Sequence, residues 1–243
     1  MWTYLAIFLS VSAILVVFFN KMIFVAKGKD LIEKNVKQVD EDPDLAANME
    51  REKISRYNKE KIKDLIVKGD SLINAGSDDE AIKCFVQALT LNPHHIESMQ
   101  KLGILYMHKQ MYSVASALFK ELASLEEDSV HYSHLGLALY RQNDFEEAKK
   151  AYQKSIVLDD SRPQRFVSLG QVYRELGNHN LAIIALNKAI DIDPENIDYL
   201  FLMADLLFEI DEFEQAKEVA KKILEIDSEN EIALKMLRRR RSS

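Results

Sequence analysis

The stretch that decides the fold, residues 102–119, reads LGILYMHKQMYSVASALF, and its pattern returns at residues 169–186 as LGQVYRELGNHNLAIIAL. In both stretches a glycine follows a leucine, a tyrosine comes three places later, and an alanine precedes a large apolar residue by four places. The small residue recurs at spacings of 34, 33, 34 and 34 residues, at Gly69, Gly103, Gly136, Gly170 and Ala204. A period of this length predicts a stack of similar structural units.

A second series of residues has the same four spacings: Ala81, Ala115, Ala148, Ala182 and Ala216. Four places after each of the first four alanines comes a large apolar residue: Phe85, Phe119, Tyr152 and Leu186. The residue at the corresponding place in the fifth unit is the small Ala220. Seven glycines and four prolines among 243 residues are too few turn residues for a sandwich or a barrel. Each unit is therefore predicted to contain two helices. The connections between them in the five units are expected at residues 74–76, 109–110, 142–144, 176–178 and 210–211. Since one pair cannot bury its apolar faces, the pairs are expected to stack into a solenoid.

The residues resemble the tetratricopeptide repeat (TPR) family, whose order is Leu-Gly, aromatic, Ala, Phe and Pro. Leu102-Gly103, Tyr106, Ala115 and Phe119 follow this order, as do Leu169-Gly170, Tyr173, Ala182, Ala189 and Pro194. The resemblance implies an all-α TPR α-solenoid with five helix-turn-helix repeats, at residues 62–95, 96–128, 129–162, 163–196 and 197–230. A capping helix and a basic tail are expected in residues 231–243, with Ile232, Leu234 and Leu237 covering the last exposed apolar face. The fifth repeat departs most from the pattern, as terminal repeats commonly do.

The sequence predicts one transmembrane helix at residues 1–26. Residues 2–19 carry no charge, and at about 1.5 Å per residue they give ~27 Å of helix, close to the ~30 Å of bilayer hydrocarbon. A secretory signal peptide is the competing interpretation, but no basic stretch precedes the apolar run. The lysines follow the run rather than precede it: Lys21, Lys27, Lys29, Lys34 and Lys37. This bias predicts a single-pass membrane protein whose long C-terminal part faces the cytoplasm.

A charged connector, residues 27–61, separates the predicted span from the repeats. It contains the sequence DEDPD at residues 40–44, and Pro43 disfavours helical geometry at Asp42. A solvated stalk is the preferred interpretation. A helix capped by Asp44 that runs through Ile54 and Tyr57, or a short self-pairing coiled coil, remains open.

The candidate binding residues follow from the resemblance, which implies that the first helix of each pair lines a concave groove. Placing the sequence on that pattern gives these partner-binding residues: Gln100, Ile104, Met107, His108, Ser133, Leu137, Tyr140, Arg141, Val167, Gln171, Arg174, Phe201, Asp205 and Phe208. Apolar and aromatic groups interleaved with Arg141 and Arg174 suit an extended or helical peptide with some negative charge. The competing interpretation is that these are ordinary solvated or packing positions. Of the positions that clamp chaperone carboxylates in related domains, only Lys101 carries the needed charge, which disfavours that ligand.

Several classes of function lack the residues they require. The net charge is −7, with 17 basic and 29 acidic residues in 62–230, so no nucleic-acid partner is expected. One cysteine, Cys84, rules out a thiolate metal cluster, and His131 with His134 lacks further ligands, so no metal or other cofactor is predicted. No phosphate loop, nucleophile elbow or zinc-protease motif occurs. The sequence therefore predicts a protein that is not an enzyme.

Two functions remain open from the sequence. The first is a membrane-anchored scaffold or adaptor that binds a partner peptide or helix in the groove. The second is an accessory subunit of an envelope biogenesis or transport complex, held through its transmembrane helix. The basic run Arg238–Arg241 adds either a frayed helix end or a contact with anionic lipid.

Overall fold

The computed structural model describes residues 43–239, and this part of the chain contains eleven α-helices. The helices are α1 Pro43–Asn74, α2 Asp78–Leu91, α3 Ile96–His108, α4 Tyr112–Leu125, α5 Ser129–Arg141, α6 Phe145–Leu158, α7 Pro163–Glu175, α8 His179–Ile192, α9 Ile197–Glu209, α10 Phe213–Ile226 and α11 Glu231–Arg238. The chain divides into two compact units, residues 1–61 and residues 62–243. The second unit is an all-α solenoid of helix pairs, so the solenoid part of the expected fold class is confirmed.

The connector is helical where the structure describes it, because α1 runs without a break from Pro43 to Asn74. Its proline occupies the first helical position, where a missing N–H costs little, and no further proline or glycine occurs before Gly69. Ile54 and Tyr57 are more than half exposed, and Arg56 forms an ion pair with Glu52 at 3.3 Å.

The predicted transmembrane residues 2–26 lie outside the described part of the chain. Among residues 43–239, no helix combines the length and the apolar character that crossing a bilayer requires.

The close approach of paired helices explains the repeated small residue. A methyl group added at Gly69 would lie 2.6 Å from the Phe85 ring, and one added at Gly103 would lie 2.8 Å from the Phe119 ring. All five alanines of the second series are fully buried, so the repeats share one core geometry: Ala81, Ala115, Ala148, Ala182 and Ala216. Consecutive helices from α2 to α11 contact one another and extend this core along the stack.

The connection inside each pair ends the first helix in the same way. One residue takes a positive φ, between 58° and 73°, at Gly76, Gln110, Asn143, Gly177 and Asp211. The amide of the next residue donates to a carbonyl five residues earlier, at 2.8–3.0 Å in all five connections. This is the Schellman arrangement, which satisfies helix carbonyls that would otherwise lack a donor.

A buried polar network joins the third and fourth repeats. The Arg165 guanidinium donates to the Asp159 carbonyl oxygen at 2.6 Å, to Ser129 Oγ at 2.9 Å and to Ser133 Oγ at 3.2 Å, and pairs with the Asp159 carboxylate at 2.5 Å. Ser133 Oγ and Ser155 Oγ share a hydrogen bond of 2.7 Å. Arg165 is only 7% exposed, so its charge depends on these partners.

The capping helix α11 covers α10 with residues other than those expected. Ala233 is fully buried against Ala220 and Ile223, with Met236 and Leu237 half-buried beside them. The sequence predicted that Ile232 and Leu234 would cover the last apolar face together with Leu237. That prediction was wrong for Ile232 and Leu234, which are 55% and 36% exposed, because they lie on the side of α11 that faces solvent.

Candidate functional groove

The candidate groove is formed by one face of the first helices α3, α5, α7 and α9. In α3, Leu102 and Gly103 face the core, while Ile104 and Met107 lie beside them and are half-buried. Residues spaced four and three apart share a helix face, so the repeat places equivalent side chains on each successive first helix. Helices α5 and α7 also contact each other directly, which brings their exposed faces side by side.

The structure places the predicted groove residues in three environments. Ten are half-buried: Gln100, Ile104, Met107, Ser133, Leu137, Tyr140, Val167, Gln171, Arg174 and Phe201. Three are exposed: His108, Arg141 and Asp205. The last, Phe208, is buried with 4% of its surface exposed.

Phe208 is therefore a correction to the predicted set, because it lies in the core rather than in an open groove. Its ring meets Phe213 edge-on with centroids 5.8 Å apart. The guanidinium carbon of Arg239 stands 4.6 Å from the centroid of the same ring. Sequence reasoning missed this contact, although Arg239 follows Asp205 by 34 residues, the period of the repeat.

Ser133 also has a different role from the one predicted. Its hydroxyl donates to the Ser129 carbonyl oxygen at 3.0 Å and accepts from Arg165 in the buried network described above. The hydroxyl is thus committed to joining two repeats. The side chain contributes to the stack rather than offering a free polar group to a ligand.

The charges at the C-terminal end of the groove are paired with one another. The Arg174 guanidinium binds Asp205 Oδ2 at 3.1 Å and also contacts Glu209 Oε2. The Tyr140 hydroxyl donates to Glu175 Oε1 at 3.4 Å, and its pKa is raised by burial and by the Glu175 carboxylate. The prediction that Arg174 would receive an anionic peptide is not supported, since two carboxylates already neutralise it.

The N-terminal end of the groove shows the same pattern. The Lys101 ammonium lies 2.8 Å from Asp70 Oδ1 and 3.7 Å from Glu97 Oε1. The hydrogen bond with Asp70 raises the pKa of Lys101. The one basic side chain that could have joined a carboxylate clamp is therefore occupied by the protein's own carboxylates.

A cleft of about 520 Å³ lies on the other side of the stack, where the sequence predicted no site. Leu135, Leu139 and Ala151 contribute its apolar lining, and Lys120 and Lys150 stand among its charged residues. It opens between the second helices α4 and α6, with α5 beneath. The repeat pattern gives no signal for it, because it depends on how far apart two neighbouring second helices stand.

The histidine pair and the cysteine are packing residues in this structure. His134 stacks on Phe119 with ring centroids 4.9 Å apart, and burial together with the nearby His131 lowers its pKa. His131 and Cys84 are both buried. No group of three or more potential metal ligands occurs within residues 43–239.

Comparisons with known proteins agree with the helical architecture. Tetratricopeptide repeat models match residues 65–95, 134–197 and 173–240. The BBSome complex member BBS4 homolog of Drosophila melanogaster is 25% identical over 164 residues, which cover 63% of this chain and 34% of that protein. This chain thus spans about a third of that relative's length.

Two solved structures show the same fold. The crystal structure of MamA is 28% identical, with a TM-score of 0.63 over 66% of this chain and 94% of that one. The crystal structure of YrrB, described as a TPR protein with an unusual peptide-binding site, is 19% identical, with a TM-score of 0.61 over 72% of this chain and 91% of that one.

The fold and the matches define the class of this protein as an α-helical repeat protein. Its repeats are tetratricopeptide repeats, as the family models and the solved structures establish. Proteins of this kind are generally scaffolds without catalytic activity that bind protein or peptide partners.

Proposed function

We propose that this protein is a membrane-anchored scaffold that binds a segment of a partner protein along the face of its first helices. The observation that carries the proposal is a set of half-buried apolar side chains on the first helices: Ile104 and Leu137 in one repeat position, Met107 and Tyr140 in a second, and Phe201 on α9. Each has part of its surface in solvent and part against the core, so a docked segment would bury the remainder. Such a surface suits helix or extended-peptide recognition.

The relatives give the proposal a second support. The Drosophila relative is a BBSome complex member, and its match covers 63% of this chain. A role in assembling other proteins also fits the lack of a recognised catalytic motif in the sequence. We therefore propose a scaffold that performs no chemistry itself.

The anchoring part of the proposal depends on sequence alone. Residues 2–19 are uncharged and long enough to cross a bilayer, and the lysines that follow favour a cytoplasmic location for the repeats. Confinement to a membrane would raise the local concentration of the repeats near membrane partners. Alkaline carbonate washing of membranes tests this directly: the full chain should stay with the pellet, and its release into the wash would refute the anchor.

The groove is tested by partner capture with substituted full-length chains. The double variant Met107→Ala, Tyr140→Ala removes apolar area from the first-helix face. We expect partner recovery to fall at least fivefold, which corresponds to a loss of about 1 kcal/mol in binding free energy. Val157→Ala is the matched control, because Val157 is 79% exposed on the second helix α6. Equal loss in both variants would contradict the groove assignment.

Replacement of residues 2–26 by an unrelated span distinguishes the accessory-subunit alternative. A scaffold that binds through the groove keeps its partners after this exchange. Loss of the partners would show that the span itself selects them, and it would contradict groove binding as the main interaction.

A further inference from the structure

Short side chains leave the cleft between α4 and α6 unfilled. The spacing of the two helices opens the cleft, and Ser116, Ala117 and Leu139 line it where other repeats carry larger groups. The residues at the position of Ser116 in the other repeats are Ile82, Lys149, Ile183 and Lys217. Those at the position of Ala117 are Lys83, Lys150, Ile184 and Glu218. Leu139 stands where the repeats on either side have Tyr106 and Tyr173.

The larger side chains fill the corresponding space at the neighbouring boundaries. Between the first and second repeats, Ile82 and Tyr106 both pack against the same apolar core. Between the third and fourth repeats, Tyr173 packs against the core and its hydroxyl accepts a hydrogen bond from Gln153 Nε2 at 3.0 Å. The cleft of about 520 Å³ therefore belongs to the boundary between the second and third repeats, and its volume lies in the usual range of binding sites.

The floor of the cleft is apolar and about two helical turns long. Tyr132, Leu135 and Leu139 follow one another on α5 at spacings of three and four residues, so they share one face and span about 10 Å. Leu135 is only 9% exposed, and Tyr132 and Leu139 are half-buried. A two-turn helix with apolar side chains at the same spacings matches this floor in length and chemistry.

The rim of the cleft carries opposite charges at its two ends. Asp144 directly precedes α6 and accepts the capping hydrogen bond of the Glu147 amide at 3.4 Å. Lys120 takes the place on α4 that Gln153 takes on α6, nine residues and about 13 Å beyond Asp144. Lys150 lies between these ends and pairs with Glu147. Within the part of the chain that the structure describes, Asp144 and Lys120 form no ion pair, so each end of the rim offers an unpaired charge.

We propose that this cleft docks a short amphipathic helix of a partner protein, whose apolar side chains cover the floor between a cation that meets Asp144 and a carboxylate that meets Lys120. Burial of the apolar side chains supplies the affinity, and the charged ends set the direction of the helix. A helix with the same charge at both ends meets a like charge at one of them, which disfavours its docking. The protein then has a second docking surface, separate from the face of the first helices.

The test measures binding of fluorescein-labelled peptides to the full chain in detergent micelles by fluorescence anisotropy, with empty micelles as the blank. The parent peptide carries three leucines at the spacing of the cleft floor, a lysine before them and a glutamate after them. Ser116→Ile with Leu139→Tyr rebuilds the filling seen between the first two repeats and should weaken binding at least tenfold. Ala117→Leu, at an exposed position, should weaken it at least threefold.

Ser124→Leu is the matched control, because it adds an apolar side chain to α4 at an exposed position outside the lining of the cleft. This variant should bind the parent peptide as the unsubstituted chain does. Circular dichroism confirms that each variant keeps its helices. Binding that is equally tight in the unsubstituted chain and in the filled variants, or no binding of the parent peptide, would overturn the proposal.

The charged ends are tested by reversing one of them. In Lys120→Glu both ends of the rim are acidic, so a peptide with a lysine at each end should bind more tightly than the parent peptide, by about threefold or more. Lys188→Glu changes the net charge equally at an exposed position on α8 and should leave the order of the two peptides unchanged. An unchanged order in Lys120→Glu would overturn the proposal.

Failure of this inference can be told from failure of the groove on the first helices. The double variant Met107→Ala, Tyr140→Ala should bind the parent peptide as tightly as the unsubstituted chain, because neither residue lines the cleft. Loss of the peptide in this variant would show that the first-helix face receives it. That result would overturn the second docking surface and leave the scaffold proposal standing.

Discussion

Replacing Gly103 by alanine tests the packing rule on which the repeats depend. The new methyl carbon would lie 2.8 Å from Cζ and 3.0 Å from Cε1 of Phe119, well inside the usual contact distance of about 3.5–4.0 Å. Phe119 is completely buried, so its ring can move only by displacing other core side chains. Such overpacking costs about 1–3 kcal/mol, whereas alanine in place of helical glycine gains about 1 kcal/mol. We expect a net loss of about 1 kcal/mol from the free energy of unfolding.

Gly170→Ala is the matched control in the fourth repeat. There the added methyl carbon would lie 3.2 Å from Cγ of Leu186 and 3.4 Å from the Ala182 carbonyl oxygen. A leucine side chain can yield by a small rotation, so the helix-propensity gain should offset the crowding. We expect the free energy of unfolding of this variant to be within about 0.5 kcal/mol of that of the parent, or higher.

Urea unfolding of the full chain, followed by circular dichroism, measures both variants. Adding Phe119→Leu to Gly103→Ala should recover part of the loss, because it restores the small-residue and leucine pairing of the fourth repeat. A double-mutant cycle should show a favourable coupling of about 1 kcal/mol. A Gly103→Ala variant more stable than the parent, or one less harmed than Gly170→Ala, would refute the packing argument.

Substitutions at three further positions test other features of the repeats. Arg165→Ala breaks the buried network and should lower the free energy of unfolding, measured by urea titration, by about 2–4 kcal/mol. Arg165→Met should lower it less. A loss under about 0.5 kcal/mol for Arg165→Ala would contradict the network's role. Burial and the neighbouring His131 lower the pKa of His134, so the unfolded chain binds the proton first and stability should fall as the pH drops below about 6.5. His134→Phe should remove that part of the slope between pH 7 and pH 5, and an unchanged slope would exclude His134 as its source. Gln110→Gly should raise the thermal midpoint, since a non-glycine residue at φ 58° costs about 1 kcal/mol, and a lower midpoint would contradict this.

The sequence predicted the repeat architecture well because the period reflects a physical constraint on every unit. A first helix approaches its partner closely only where one side chain is small and a large side chain on the partner helix fills the space. Gly103 and Phe119 are such a pair. The same constraint relaxes in the fifth repeat, where Ala204 and Ala220 are both fully buried. A pattern of this kind survives substitution of any single member.

The sequence was less informative wherever a contact depends on a neighbouring repeat. Arg165 and Ser133 come from residue types that usually face solvent, and no periodic signal shows that they form one buried network. The position of Phe208 in the repeat predicted a groove residue, but its ring is buried and Arg239, which directly follows α11, stands over it. The pairing of Arg174 with Asp205 likewise depends on the distance between two first helices, which the period does not specify.

The connector shows a third kind of limit. The preferred interpretation of the connector was a solvated stalk, with a helix through Ile54 and Tyr57 left open, and Asp42, where Pro43 disfavours helical geometry, lies outside the described residues. The structure shows the helix that was left open: α1 begins at Pro43, because the first helical position tolerates proline, and it runs through Ile54 and Tyr57.

Photo-crosslinking in intact cells tests the central claim, that the face of the first helices is where the partner docks. Benzoylphenylalanine replaces Leu137 on α5 in one full-length variant and Val157 on α6 in another. The account predicts that a crosslinked partner forms at position 137 and is absent or much weaker at position 157. A partner captured at 157 and not at 137 would place docking on the second helices and contradict the account.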